Sequence, residues 1–481
     1  MLRTTGWAAS VALAAALGVA GCATPGDPVA PRPLVQASDL GLAPDVTTPA
    51  VEARWWRLLG DPALDDLVQR ALDGQPTLRV AAARLARAEA AVAASAATDG
   101  PQVALSADAT RQHFTATGLY PPPLAGSMRN TSTLQAGASL PLDFFGRHAA
   151  ALQAALGQQR AAEADLQAAR LLLTSQVARV HVGLARTLAL REVAERTLAQ
   201  REQWLALTAQ RVKAGLDPLS ERRTLEGTVA EARQQLAALD EQIALARNQL
   251  AQLSGQAPQA LAQWRPALTG LQAAPLPAAL GADLLGRRPE IAAARWRVEA
   301  AVQDVAQAEA QFYPDINLVG FVGLSAIGLD RLVQLPSRQF GVGPALRLPL
   351  FDGGLLRARV RGQAAELDAA VAVYHGAVLD AVREATDAIA VLQAVHHQQA
   401  EQSQALAAAQ AAHALVRSRR ESGLTSELSV LAAESAVLAQ RRAAAELRGR
   451  ELDGQVVLMR ALGGGWRAGT APVQETRATQ P

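Results

Sequence analysis

The chain of 481 residues carries its own second copy, and that copy bounds what it can fold into. Leu140-Pro141-Leu142 leading to Gly146 returns as Leu348-Pro349-Leu350 leading to Gly354, and Arg211 with Gly215-Leu216 returns as Arg419 with Gly423-Leu424, each 208 residues later. Gly255 and Gly463 keep the same offset. Upstream, Pro76 and Pro101 stand 25 residues apart and so do Pro289 and Pro314, with Val103 and Leu105 answered by Ile316 and Leu318. A tandem duplication accounts for all of these pairs, so each segment can be read twice and checked against its partner.

Within each copy two short alternating segments come first. Val103, Leu105, Ala107 and Ala109 alternate with Ala104, Ser106, Asp108 and Thr110; Leu134, Ala136, Ala138, Leu140 and Leu142 alternate with Gln135, Gly137 and Ser139. The second copy gives Ile316, Leu318, Val322 and Leu324, then Phe340, Val342, Leu346 and Leu348. Period two predicts four strands with one apolar face, each about ten residues long, the length of a membrane-spanning β-strand. The connections at 111–130, with Pro121-Pro122-Pro123, and at 325–338, with Gly328, read as hairpin loops. A small soluble sandwich would show the same alternation, but the long segment after each pair does not suit one. Gly146 to Gly215 and Gly354 to Gly423 are each 69 steps apart without an internal proline, about 100 Å if helical throughout.

After those glycines the chain turns back. On the first return segment Leu225, Val229, Ala232, Leu236, Leu239, Ile243, Ala246, Leu250 and Leu253 alternate spacings of four and three, a coiled-coil seam. The second return is looser, with Leu438, Ala445, Leu452 and Met459 every seven residues. Apolar stripes also predict helices over 62–97 (Leu64, Leu67, Leu72, Leu78) and 281–311 (Ile291, Val298, Val302, Val305). The chain is thus expected to be mainly α with membrane β. A low aromatic content of 4% and alanine-rich stretches suit long, closely packed helices.

The N-terminus predicts export. Arg3 precedes an apolar run from Trp7 to Val19, and Val19-Ala20-Gly21 places small residues before Cys22, the sole cysteine. The run is shorter than the roughly 20 residues a spanning helix needs. It reads as a bacterial lipoprotein signal cleaved before Cys22, whose thiol and amine would then carry diacylglycerol and an N-acyl chain. The expected organisation is a signal peptide over 1–21, a Pro-rich lipid-anchored tether over 22–48, a first repeat over 49–257, a Pro-rich connection over 258–280, a second repeat over 281–466 and a disordered tail over 467–481.

Several function classes fall away. Net charge is +2, from 46 basic and 44 acidic residues dispersed along helices, which gives no footprint for nucleic acid. A single cysteine forms no intramolecular disulfide. Gly463-Gly464-Gly465 lacks the Lys and Ser or Thr of a phosphate loop, and adjacent His396-His397 point about 100 degrees apart on a helix, so neither a catalytic constellation nor a metal or other cofactor is expected. A lipid-facing sheet cannot leave open edges, and four strands are too few to close a barrel, so the strands must be pooled between copies of the chain; closure alone allows two, three or more.

The residues now resemble a known family, the TolC-like outer-membrane efflux factors, and within it the lipoprotein branch that serves tripartite multidrug pumps. The likeness is carried by Trp55-Trp56 with Asp61-Pro62 and Leu64; by Arg287-Arg288-Pro289-Glu290-Ile291 followed by Ala308, Ala310 and Phe312-Tyr313-Pro314; by Leu348-Pro349-Leu350-Phe351-Asp352-Gly353-Gly354; and by Ala461-Leu462-Gly463-Gly464-Gly465-Trp466. It implies a homotrimer whose twelve strands form one outer-membrane β-barrel, continued by a periplasmic α-helical barrel. That barrel would be an exit duct joined through a periplasmic adaptor to an inner-membrane transporter of the RND type. Ala23 in place of aspartate implies sorting of the lipoprotein to the outer membrane. The resemblance also places adaptor docking at the two helical tips, here Gly215-Leu216-Asp217 and Gly423-Leu424-Thr425-Ser426. Its gate carries over less fully. Leu428 matches the constricting leucine, whereas Ala432 and Ser435 stand at the acidic and basic positions, leaving Glu427 and Glu434 nearby as candidates for a charged ring. A periplasmic coiled-coil adaptor or structural lipoprotein is the alternative, although such adaptors generally carry one helical hairpin rather than two.

Overall fold

In the computed structural model the described residues are 33–35, 37–40, 51–273, 281 and 286–467. The signal peptide, Cys22, most of the tether, the end of the inter-repeat connection and nearly all of the C-terminal tail lie outside them. The duplication is visible in the element lengths. Helices α1 (Pro62–Gly74) and α2 (Pro76–Thr98) lead into strands β1 (Gln102–His113) and β2 (Met128–Leu142), then into α3 (Arg147–Lys213) and α4 (Leu219–Leu253). The second copy has α5 (Pro289–Ala310), β3 (Asp315–Ile327), β4 (Arg338–Arg347), α6 (Leu355–Glu421) and α7 (Glu427–Ala461). Helices α3 and α6 are each 67 residues long, and α4 and α7 each 35.

Three expectations shift. The stripe over 62–97 is two helices: Asp61 caps the start of α1, accepting from the Ala63 N–H at 2.9 Å, and extended Gln75 ends that helix before Pro76 opens α2. The helix expected over 281–311 begins only at Pro289 among the described residues, a residue preorganised for a first helical turn. Leu348 lies just beyond β4, whereas its repeat partner Leu140 is inside β2.

The chain divides into two units. One comprises Arg84–Ala162 and Ala293–Tyr374 and holds all four strands. They form one antiparallel sheet in the order β1-β2-β3-β4, so among the described residues β1 and β4 each have a single neighbour. Register sorts the side chains by face. Leu105 pairs with Ala136, Ala136 with Val322, and Val322 with Phe340, one rung of an apolar face on which Val103, Leu105, Phe340 and Val342 are more than 70% exposed. The next rung, Ser106 with Gln135, Gln135 with Gly323 and Gly323 with Gln339, is polar, and Gln339 Nε2 donates to Gln135 Oε1 at 3.0 Å. Exposed apolar side chains in such a continuous patch require a nonaqueous neighbour. Among the described residues no helix is long and apolar enough to cross a membrane. Below the strands, Ala308 and Phe312 pack with Leu356 and Val360 in a small core.

The other unit comprises Val35–Ala83, Glu163–Ala292 and His375 onward. Its core gathers Trp55, Trp56, Leu64 and Leu67 with Leu173, Val177, Val182 and Leu184 of α3, Ile243 and Leu250 of α4, and Leu452 and Val456 of α7. The predicted seam of α4 is buried or half-buried at all nine positions. Two motifs acquire physical roles here. Trp56 Nε1 donates to Asp65 Oδ1 at 2.7 Å, fixing the turn before α1. Arg288, 4% exposed, donates to Glu290, to Glu384 Oε2 at 2.8 Å and to the Ala381 carbonyl at 3.2 Å, while Arg460 takes the other Glu384 oxygen at 2.9 Å. A buried guanidinium is tolerated only when charge and donors are matched in this way.

Candidate functional site at the helical tips

Helix α3 ends at Lys213 and the chain reverses within five residues into α4; α6 ends at Glu421 and reverses into α7 in the same number. The two turns share a backbone solution. Gly215 has φ +73° and Gly423 φ +77°, the left-handed region that glycine enters without steric cost. The following amide closes a six-residue ring in each case, Leu216 N–H to the Arg211 carbonyl at 2.9 Å and Leu424 N–H to the Arg419 carbonyl at 2.8 Å. Both glycines therefore end their helices, and the turns present Leu216 and Leu424 to solvent at 66% and 69% exposure.

Side-chain chemistry at the tips differs. Arg211 donates from Nε and Nη2 to both Asp217 carboxylate oxygens, at 2.7 and 2.8 Å, and this guanidinium holds the Asp217 carboxyl below the usual carboxylate range. In the second tip Thr425 stands where Asp217 does, and Arg419 has no ion pair among the described residues. The stapling there shifts by one residue at the arginine and two at the carboxylate, with Arg420 Nε 2.6 Å from Glu427 Oε2. Ser426 caps α7, its Oγ accepting from the Ser429 N–H at 3.4 Å, whereas Pro218 at the start of α4 has no side-chain cap.

Among the gate candidates, Glu427 is thus tied to Arg420 and its Oε2 is buried. Leu428 and Glu434 are half-buried and Ala432 is exposed. The neighbouring Val430 and Leu431 are buried. One residue of this region escaped the sequence reading. Gln200 of α3 is 4% exposed, and its Nε2 donates to the Leu431 carbonyl at 2.7 Å and to Ser435 Oγ at 2.8 Å on α7. Ser435 Oγ donates in turn to the Leu431 carbonyl at 3.2 Å. This buried link joins the first helical hairpin to the second. Its repeat equivalents, 208 residues away, are Ala408 and Gly227, which cannot form it. The absence of the pair from the other copy was the available signal.

The family model for "Outer membrane efflux protein" matches residues 67–256 and 280–464, one stretch for each repeat. The multidrug resistance outer membrane protein MdtP of Shigella flexneri is 31% identical over 470 residues, 95% of this chain and 96% of that protein. The fusaric acid resistance protein FusA of Burkholderia cepacia is 37% identical over 371 residues, 74% of this chain and 69% of that protein. Among solved structures, the outer membrane protein VceC of Vibrio cholerae aligns with a TM-score of 0.78 at 33% identity, over 86% of this chain and 99% of VceC. With a four-stranded sheet, two long helical hairpins and a family match across both repeats, this chain belongs to the outer membrane efflux protein family and is a TolC-like efflux channel of the outer membrane.

Proposed function

We propose that the chain works as a homotrimer, the passive exit duct of a tripartite pump. The observation that carries this reading is the sheet: four strands with one continuous apolar face and an opposite face that is polar on β1 and β2 and mixed on β3, with β1 and β4 each lacking a second neighbour among the described residues. In hydrocarbon each unpaired backbone group costs several kcal/mol, so the edges must be met by strands of other copies, and three copies supply twelve. The polar face then lines a water-filled lumen. Movement through such a duct is conduction driven by the partner transporter, with no chemistry on this chain.

The tips dock a periplasmic adaptor through Gly215-Leu216-Asp217 and Gly423-Leu424-Thr425-Ser426, where two exposed leucines offer apolar knobs beside unlike charge patterns. The adaptor couples the duct to an inner-membrane transporter of the RND type. The resting closure lies just above the second tip, around Glu427, Leu428, Ala432 and Glu434, with the Gln200–Ser435 link holding α7 inward against α3. A diacylglycerol and an N-acyl chain on Cys22 anchor the mature N-terminus to the outer membrane. The cargo is a drug or other small molecule, in keeping with relatives named for multidrug and fusaric acid resistance.

The deciding experiment is reconstitution. The purified protein should run as a detergent-stable trimer and give discrete conductance steps in planar bilayers. A monomer without conductance would reject the pooled barrel.

A further inference from the structure

The described part of the segment between the repeats, 258–273, is pinned across the helices as a strap. Short turns at Pro258–Leu261 and Leu268–Gly270 bury Leu261 and Leu268, and Leu271 is buried just beyond them. Four polar bonds add to that: Arg247 Nε of α4 donates to the Trp264 carbonyl at 3.1 Å, the Gln272 N–H donates to the Leu59 carbonyl at 2.9 Å, Arg448 of α7 donates to the Leu271 carbonyl, and Trp264 Nε1 lies 3.2 Å from His181 Nδ1. The last bond is unlike the rest, because its acceptor can be titrated.

His181 of α3 is fully buried, and its Nε2 lies 2.8 Å from Asp61 Oδ2. An indole N–H only donates. His181 Nδ1 must therefore offer its lone pair, the single ring proton must sit on Nε2 facing Asp61, and the imidazole is neutral while the strap is closed. A second proton has only Nδ1 to go to, where it would meet the Trp264 N–H donor against donor. The charged ring would at the same time form a buried ion pair with Asp61, so the arm that yields is the one to Trp264.

We propose that Asp61, His181 and Trp264 form a proton-operated clasp: protonating His181 strengthens its hold on the cap of α1 and frees the strap between the repeats. Charged neighbours on every packed element shape this response. The charged groups beside the clasp are Asp61, Arg265 on the strap and Arg247 on α4, whose Nε holds the Trp264 carbonyl. Asp65 in the first turn of α1 is taken up by Trp56 and Arg57, Arg179 on α3 by Asp453, and Arg448 on α7 by Glu451, while α7 also contributes apolar Leu452 and Val456 to this core. Asp61 itself is held below the ordinary carboxylate range, first by its bond to His181, and so remains ionised as the partner of the charged ring. The inference concerns the strap alone and is independent of conduction.

Hydrogen exchange of the full chain in detergent tests it, with rates corrected for intrinsic exchange at about pH 7.5 and about pH 5.5, the interval in which histidines change charge. In the unmodified protein, protection over residues 258–272 should fall about tenfold on acidification, the effect of losing a buried bond of about 1.4 kcal/mol, while a reference peptide from the middle of α7 holds steady. His181→Gln keeps a donor for Asp61 and an acceptor for Trp264 but takes no proton, so it should stay protected at both values. Trp264→Phe removes the donor and should be loosened equally at both. Equal protection of the unmodified strap at the two pH values, or an acid response that survives in either variant, would overturn the clasp.

Discussion

Replacing Gln200 by leucine tests the closure at the second tip where the structure makes it most specific. The side chain is 4% exposed and commits both amide protons to α7, one to the Leu431 carbonyl and one to Ser435 Oγ, at 2.7 and 2.8 Å. Each such bond contributes about 0.5–1.5 kcal/mol net, so the pair contributes about 1–3 kcal/mol. Leucine is similar in size and fills the same space, and the Leu431 carbonyl keeps the Ser435 hydroxyl at 3.2 Å, so no buried acceptor is stranded. The loss should therefore fall on the hairpin-to-hairpin link rather than on folding. Converted to populations, about 1–3 kcal/mol raises the open-to-closed ratio of the tips by about 5- to 150-fold. Planar-bilayer recording reads this directly as a larger mean conductance or open probability, and cells carrying the variant should admit a bulky antibiotic that the closed duct excludes. Ala408→Gln, at the repeat-equivalent and exposed position, is the control and should change neither. An intact Gln200→Leu trimer that conducts like the unmodified protein would refute the assignment of this link to closure.

Other substitutions separate faces and tips. Val322→Arg on the apolar face, where the residue is 63% exposed, should cost about 2–4 kcal/mol near the membrane midplane and sharply reduce assembled protein in the outer membrane, whereas Ser139→Arg on the polar face should assemble; equal yields would contradict the facing. At Gly215 and Gly423 a Cβ would meet nothing within 4 Å, so alanine and tryptophan impose the same backbone strain and differ only in what projects from the tip. Tryptophan should abolish pump-dependent drug resistance with the trimer intact, alanine should largely spare it, and matching losses would leave the turns a purely structural role. Because Arg211 lowers the Asp217 carboxyl, the ion pair stabilises the first tip at all pH values above the unfolded value of about 3.9 and is lost as pH falls through the depressed folded value. Hydrogen exchange over 212–218, corrected for intrinsic rates, should thus lose protection in acid, and Asp217→Asn should be poorly protected throughout and lose that pH dependence.

Much of this fold was legible because period and repetition are local or self-checking properties. The nine-residue seam of α4 and the alternation of Val103 to Ala109 follow from spacing alone. Boundaries were less legible where a single cap decides them. Extended Gln75 before Pro76 splits one apolar stripe into two helices, and Leu348 leaves the strand that its partner Leu140 occupies. The tip glycines announced themselves by recurring. Gln200 did not, since its partners are 231 and 235 residues away and nothing in its own neighbourhood marks it as buried. The glutamates near the second tip were visible as charges, but only folding shows that Glu427 is tied to Arg420.

The equal lengths of α3 and α6, and of α4 and α7, outlast the sequence identity of the copies: side chains have diverged almost everywhere while the residue counts have not. One inserted residue would push a tip outward by about 1.5 Å and swing everything beyond it by about 100 degrees, misaligning both its seam and its turn relative to the sister hairpin. Substitutions are thus far better tolerated by this chain than indels. What is inherited in the helices is a ruler, and a change in the reach of one hairpin becomes viable only when its sister lengthens or shortens in step.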